Sequence, residues 1–367
     1  MRTTNLQKHS HWISISVLVF LWTPFTLTAA DLLEKSDDSR LILVAGGGDV
    51  WGDAPAAKAK LLHPFGLAKD KTGNLWLVEL AGQRVLKIDA KGNLTVAAGN
   101  GKRGYTGDGG PAAAATFADM HALAVHSDGT IFLADTLNHT VRQIDAKTGR
   151  ISTIAGSGKA GFSGDGGQAR DAQFDGVYCI ALSPNGKRLY VTDLGNRRIR
   201  LIELATGRIE TVAGNGQQGV PTDGQPAKDQ PLVDPRAAVV DQHGRLYILE
   251  RSGDALRVVA PDGTIRTVLN GLAGPKHLCI DEDDGVIIAD TNNHRIVKFL
   301  PDARADKNLI VLAGTGKKGD SGSGGPALQV ALNEPHGVFV DDGGTLYIVD
   351  SLNSRVFRLE RTPLRRK

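Results

Sequence analysis

The chain has 367 residues, with a hydrophobic fraction of 41%, 45 glycines and a formal charge of +3. That apolar content suffices for a packed core, and the glycines follow no collagen-like triplet, so a fibrous or largely disordered chain is excluded. The charge is too small to supply the field that a nucleic-acid-binding surface needs.

In chain order, the first element is an export signal over residues 1–30. Arg2 and Lys8 precede an apolar stretch from Ile13 to Leu27, and Thr28-Ala29-Ala30 offers small residues for cleavage before Asp31. Removing Arg2 and Lys8 with the leader leaves a charge of about +1. No later segment is long and apolar enough to cross a bilayer, so we expect no stable membrane span after cleavage and a periplasmic or extracellular location. Residues 31–40 read as a linker, 41–361 as one domain, and 362–367, with Arg365, Arg366 and Lys367, as a solvated basic tail.

Within 41–361 a unit recurs six times, anchored on Glu79, Asp135, Asp193, Glu250, Asp290 and Asp350. Each acid ends a short aliphatic or β-branched run, such as Ile131 to Ala134, and most are followed by a turn rich in Gly and Asn. In the first unit the expected strands are Gly66 to Lys69, Leu75 to Val78, Val85 to Ile88 and Leu94 to Ala97, joined by hairpin turns. The fold class is therefore all-β: a six-bladed β-propeller of four-stranded antiparallel blades. The last unit stops after its third strand, while Leu41-Ile42-Leu43-Val44-Ala45 repeats the fourth-strand pattern of Ile151 to Ala155. Residues 41–45 are thus expected to complete the last blade and close the ring.

Units such as Leu189-Tyr190-Val191-Thr192-Asp193-Leu194-Gly195-Asn196-Arg197-Arg198-Ile199 and Ile287-Ile288-Ala289-Asp290-Thr291-Asn292-Asn293-His294-Arg295-Ile296, with openings of the Pro335-His336-Gly337-Val338 kind, resemble NHL repeats, of the type found in exported bacterial proteins. The resemblance spans nearly all of the chain after the leader and implies the six-bladed fold. It leaves the activity open, because similar propellers include protein-binding and RNA-binding modules, sensor ectodomains and a few lyases or hydrolases.

The six acids have a structural explanation. Each carboxylate is placed to accept backbone amides of the following turn and to pair with an arginine across the hairpin: Arg84, Arg198, Arg295 and Arg355 five residues on, or Arg142 and Arg257 seven residues on. Chemistry is expected where the repeat varies. Before each inner strand, a Pro-X-Gly-like motif carries Phe65, His121, Tyr178, Arg236, Lys276 and His336 at its middle position. In a propeller these converge on the channel rim and suit a polar or anionic ligand. The resemblance to lyases of this fold raises a second possibility, zinc held by His121, His277 and His336; with His277 out of register and no free carboxylate as base, no metal or other cofactor is expected.

The long connections, of which Ala98-Gly99-Asn100-Gly101-Lys102-Arg103-Gly104-Tyr105-Thr106-Gly107-Asp108-Gly109-Gly110-Pro111-Ala112 is the fullest, recur between most units and point to a packing role. Lys102, Lys159 and Lys317 lack the strand-glycine-helix context of a phosphate loop, and Asp108, Asp165 and Asp223 read as turn formers, not as calcium ligands. Cys179 and Cys279 fall in non-neighbouring blades and read as buried free thiols. The expected function is exported, non-catalytic recognition of a protein, a glycan or a small polar ligand through the loop face and central channel, without nucleic acid. The alternative is a channel-centred, metal-dependent lyase or lactonase-like hydrolase.

Overall fold

The computed structural model of the chain describes residues 39–304 and 307–360. The expected leader, most of the linker, and the basic tail lie outside the described residues. The described residues form six antiparallel sheets, each a meander whose strands follow one another outward from the axis. The inner strands are Pro64–Lys69, Met120–Val125, Val177–Leu182, Pro235–Val240, His277–Ile280 and Pro335–Val340, in blades 1 to 6.

The second strands carry the longest apolar runs because blades press on both of their faces. Ile131–Asp135, Leu246–Glu250, Val286–Asp290 and Leu346–Asp350 are buried at every residue. A strand covered on both sides loses the apolar-polar alternation of a half-exposed one. Large side chains such as Phe117, Leu133, Phe174 and Phe357 fill the wedges between blades, each contributing about 1.5–3 kcal/mol by burial.

The ring closes as expected. Arg40–Gly46 pairs antiparallel with Arg355–Glu360, with Leu41 opposite Leu359 and Gly46 opposite Arg355. The strand begins one residue earlier than the expected linker boundary. Closure gives the last blade its outer strand and leaves no open end to the array.

The long connections do more than turn the chain. Each leaves one blade's outer strand, passes along the outer edge of the next blade, and only then turns in to the axis. In blades 1 and 4 this passage forms a fifth, two-residue strand, Ala54–Pro55 or Gln225–Pro226, against the outer strand. In blades 2, 3 and 6 it forms single bridges, Pro111 to Arg150, Gln168 to Arg208 and Pro326 to Arg40. A buried alanine follows in each: Ala56, Ala112, Ala169, Ala227 and Ala327. Ala169 shows the arrangement, donating its N–H to Gly207 O at 2.7 Å and accepting at its carbonyl from Gly156 N–H at 2.9 Å, so that it staples two blades together. Blade 5 has only Asn270–Gly274 as its connection, and among the described residues its outer strand Leu309–Ala313 has no such strap.

The loop aspartates belong to the same device. Asp108 accepts from Arg142 at 2.7 Å and from Thr153 N–H at 3.0 Å, Asp165 from Arg200 at 2.7 Å and Thr211 at 2.7 Å, and Asp223 from Thr267 N–H at 2.8 Å. They are therefore clamps that pin each loop to the following blade, where the sequence had suggested turn formers. Their carboxylates are engaged by donors from the protein itself.

Candidate functional site

The six strand-end acids are fully buried and fix the position of the inner strands. Their backbone partner differs from the expected one. Each accepts an N–H from the segment leading into its own blade, not from the turn after it: Leu62 to Glu79, Ala118 to Asp135, Asp175 to Asp193, Val233 to Glu250, Ala273 to Asp290 and Asn333 to Asp350, at 2.6–2.8 Å. The expected arginine pairs form in five blades through Arg84, Arg142, Arg257, Arg295 and Arg355. In blade 3 the partner is Arg200 at 3.4 Å; Arg198 instead donates to the carbonyls of Asn196 and Asn215 and lies 3.7 Å from the Phe162 ring centroid.

A second latch runs between blades. The residue before the third strand is left-handed in every blade without being glycine, as at Gln83 (φ 50), His139 (φ 56), Asp254 (φ 45) and His294 (φ 48). That backbone turns the side chain toward the next blade, where it accepts the N–H preceding the inner strand: Asp119 to Gln83 at 2.9 Å, Gly176 to His139 at 3.0 Å, Gly274 to Asp254 at 2.7 Å and Glu334 to His294 at 3.2 Å. Acid and latch together hold His121, Tyr178, Lys276 and His336 from two sides.

The six rim side chains meet at the hub. Phe65 stacks on His336 with centroids 4.3 Å apart and meets His121 edge-on at 4.9 Å. His121 lies 4.3 Å from Tyr178, and the Arg236 guanidinium sits 4.7 Å from the Tyr178 centroid. Lys276 donates to His336 Nε2 and lies 3.4 Å from Glu334. Phe65, Tyr178 and His336 are buried, so the hub is filled by these rings.

Protonation follows from the partners. His121 Nδ1 donates to the Asp119 carbonyl at 2.9 Å, which places the proton on Nδ1. An ammonium can only donate, so His336 Nε2 is the acceptor for Lys276, and its protonated Nδ1 is buried without a partner. Burial pushes His121 down to about 4 and holds His336 well below the ordinary imidazole value, with the neighbouring Lys276 adding to the second effect. Burial also lowers Lys276, against the pull of Glu334, and raises Tyr178 to about 12. At neutral pH the hub holds uncharged imidazoles and phenol, with its cations on the side of blades 4 and 5.

His277 is not part of this ring. It lines the channel below, with Cys179 and Cys279, and among the described residues no three His, Cys, Asp or Glu side chains gather closely enough to hold a metal ion. The two cysteines are free thiols. Residues missed by the sequence reading are the acids two places before the rim position: Asp119, Asp234 and Glu334. Asp234 pairs with Arg236 at 3.3 Å and Arg251 at 3.0 Å, and Glu334 with Lys276. Their recurrence at one register in three units was a legible signal.

The same face carries a broken circle of exposed apolar groups. Trp51, Tyr105, Phe162 and Val220 project from the long connections, and Leu137 and Leu352 from the turns after second strands. Tyr105 is fixed by its hydroxyl on Thr153 at 3.1 Å and by Arg142 at 5.1 Å from its ring.

Fold and hub together define a six-bladed propeller with a side-chain-filled centre and an apolar-rimmed loop face. The family model of the Teneurin NHL domain matches residues 209–360. NHL repeat-containing protein 2 from Homo sapiens is 25% identical over 342 residues, covering 81% of this chain and 46% of that protein. The chain is thus a six-bladed β-propeller that is similar to the Teneurin NHL domain over 209–360 and to NHL repeat-containing protein 2 over most of its length. It spans less than half the length of the first curated relatives it matches. Among solved structures, an auxiliary nutrient binding protein from Bacteroides ovatus superposes with a TM-score of 0.65 at 13% identity, covering 89% of this chain and 77% of that one. A gluconolactonase from Xanthomonas campestris superposes with a TM-score of 0.60 at 13% identity, covering 92% and 94%. At such identities these two likenesses concern the fold alone.

Proposed function

We propose that this chain is an exported, non-catalytic recognition propeller whose loop face and hub bind a protein, a glycan or a small polar ligand. The observation that carries the reading is the contact ring of Phe65, His121, Tyr178, Arg236, Lys276 and His336 at the centre of a face edged by Trp51, Tyr105 and Phe162. Exposed aromatic groups held by cation contacts around a polar centre suit partner docking, since rigid aromatic anchors lose little conformational freedom on binding. The apolar edge favours a protein among the three ligand classes. The structurally similar nutrient binding protein supports a binding role for this scaffold, and the gluconolactonase supports the alternative. That alternative, a metal-dependent lyase or lactonase-like hydrolase, would need free imidazoles at the hub. Here His336 Nε2 is engaged by Lys276.

Capture of partners from the native periplasm or medium by the immobilised chain tests the reading. Y105A/F162A and R236A/K276A are each expected to weaken capture tenfold or more. Capture indifferent to both pairs, or a turnover abolished only when His121 and His336 are both replaced, would overturn it. Export rests on residues 1–30, and a mature N-terminus at Asp31 is the expected result of N-terminal sequencing.

A further inference from the structure

The outer strands that carry a strap meet it at one register position. Leu41, Leu94, Ile151, Ile209 and Ile265 stand there, opposite Leu359, Ile88, Ile144, Ile202 and Val259 of the third strands, and all are at most 3% exposed. Ile151 donates its N–H to Gly110 O at 3.0 Å and accepts from Gly109 N–H at 2.8 Å; Ile209 does the same with Gly167 and Gly166, and Leu41 with Gly325 and Gly324. Leu309 holds this register in blade 5, opposite Phe299, and is 37% exposed. Leu300 N–H donates to Asn308 O at 2.7 Å, so the adjoining pair Phe299–Leu309 is a non-hydrogen-bonded one, and the N–H and C=O of Leu309 point away from the sheet. Among the described residues no strap meets them.

The residue that opens each strap follows the strand pair beneath it. Where that pair is Arg142–Thr153, Arg200–Thr211 or Arg257–Thr267, the strap carries Asp108, Asp165 or Asp223, held by one or both members of the pair. Where the pair is apolar, Leu86–Val96 in blade 1 and Phe357–Leu43 in blade 6, the strap carries Gly52 or Ser323 at that place. Blade 5 has Val297–Val311. A carboxylate there would lose hydration with no guanidinium to offset the loss, so the edge is fitted to an uncharged strap. A bulge between Val311 and Ala313 interrupts the ladder, which leaves room for a contact of about two residues and not for a long added strand.

We propose that the outer edge of blade 5 docks an extended, uncharged segment of a partner protein, of the Ser-Gly-Gly-Pro-Ala kind that blade 6 uses for itself. The segment exchanges two backbone hydrogen bonds with Leu309 and covers its side chain. In the other blades the strap arrives from the preceding blade; the connection Asn270–Gly274 is too short to pass along the edge, so the occupant comes from outside the ring. Addition of an extended segment to a sheet edge draws affinity from main-chain bonds and selectivity from the side chains beside them. The edge lies on the outer circumference, away from the hub, and stands or falls apart from the recognition reading.

The probes are two acetylated and amidated pentapeptides with the sequences of the straps themselves, Ser-Gly-Gly-Pro-Ala from residues 323–327 and Asp-Gly-Gly-Pro-Ala from residues 108–112. Each is titrated into the whole chain and followed by amide ¹⁵N spectra. The serine peptide is expected to shift the Leu309 and Val311 resonances saturably, and to bind about fivefold or more tightly than the aspartate peptide. Methylating the nitrogen of its first glycine removes the N–H that donates to Leu309 O and should weaken binding about fivefold, a readout on the unmutated chain. Leu309→Pro withdraws the outward N–H without removing a ladder bond and should weaken binding to a similar degree. No saturable shift at Leu309, an aspartate peptide that binds as well as the serine one, or binding indifferent to the methyl group would each overturn the proposal. So would a dimer of the chain that is lost in L309P, since a second copy would then occupy the edge.

Discussion

Arg142 is fully buried between Asp135 at 3.3 Å and Asp108 at 2.7 Å, whereas Arg103, in the adjoining loop, pairs with Asp119 at 3.3 Å with 59% of its side chain exposed. Removing Arg142 strands a carboxylate in the interior, so R142M is expected to cost about 3–5 kcal/mol of unfolding free energy by urea denaturation. R103M, whose charge is exposed to water, is expected to cost less than about 1 kcal/mol in the same assay. The hub histidines add a pH dependence. Burial lowers His121 from 6.5 to about 4, so the unfolded chain binds the extra proton between those values and stability is lost as pH falls through them. Asp135 and Asp193, raised by burial to about 6, act in the opposite sense between 3.8 and 6. His121→Gln removes one histidine contribution, and between pH 6.5 and about 4.5 the variant should lose about 2 kcal/mol less stability than the parent. An equal loss in both would show that His121 is protonated as readily in the fold as outside it. At this scale the acids and the rim positions were readable from the repeat, because both recur at fixed register. The choice of Arg200 over Arg198 in blade 3 was not readable, because both sit in the third strand within reach of the same hairpin and Phe162, far off in sequence, takes Arg198.

Among the elements, the straps and their alanines stand out as the parts whose role repetition alone did not disclose. The Gly-Pro-Ala and Gly-Gln-Ala segments were visible as loop sequence, yet covering a sheet edge requires a neighbour that only the closed ring supplies. Ala169 is fully buried with both backbone groups bonded across blades, so Ala169→Val should overpack the staple and cost about 1–3 kcal/mol. Thermal unfolding checks this, and an unchanged midpoint would mean that the loop merely lies on the surface. The closing strand was legible in full, since Leu41 to Ala45 repeats a pattern that the last unit lacks. Deleting residues 39–46 should abolish cooperative unfolding throughout the ring, and a peptide of that sequence added in trans should restore part of it.

Over the whole molecule the ring is uneven. Among the described residues, five outer strands are covered by a strap and that of blade 5 is not, with Leu309 37% exposed at its start. Hydrogen exchange should therefore be faster at the outward-facing amides of Leu309–Ala313 than at those of Asn93–Ala98. Equal protection would indicate that something else covers the blade 5 edge. The amino-acid sequence by itself determined the blade count, the all-β meander, the closure by the first strand, and the register at which six unlike side chains face the axis. Each of these depends on local periodicity and on repetition along one chain. Only the tertiary structure decided that the hub is filled by ring contacts, that the loop aspartates clamp neighbouring blades, and that His277 lies outside the hub. Those outcomes turn on distances between residues tens to hundreds of positions apart, which come into contact only when all six sheets share one axis.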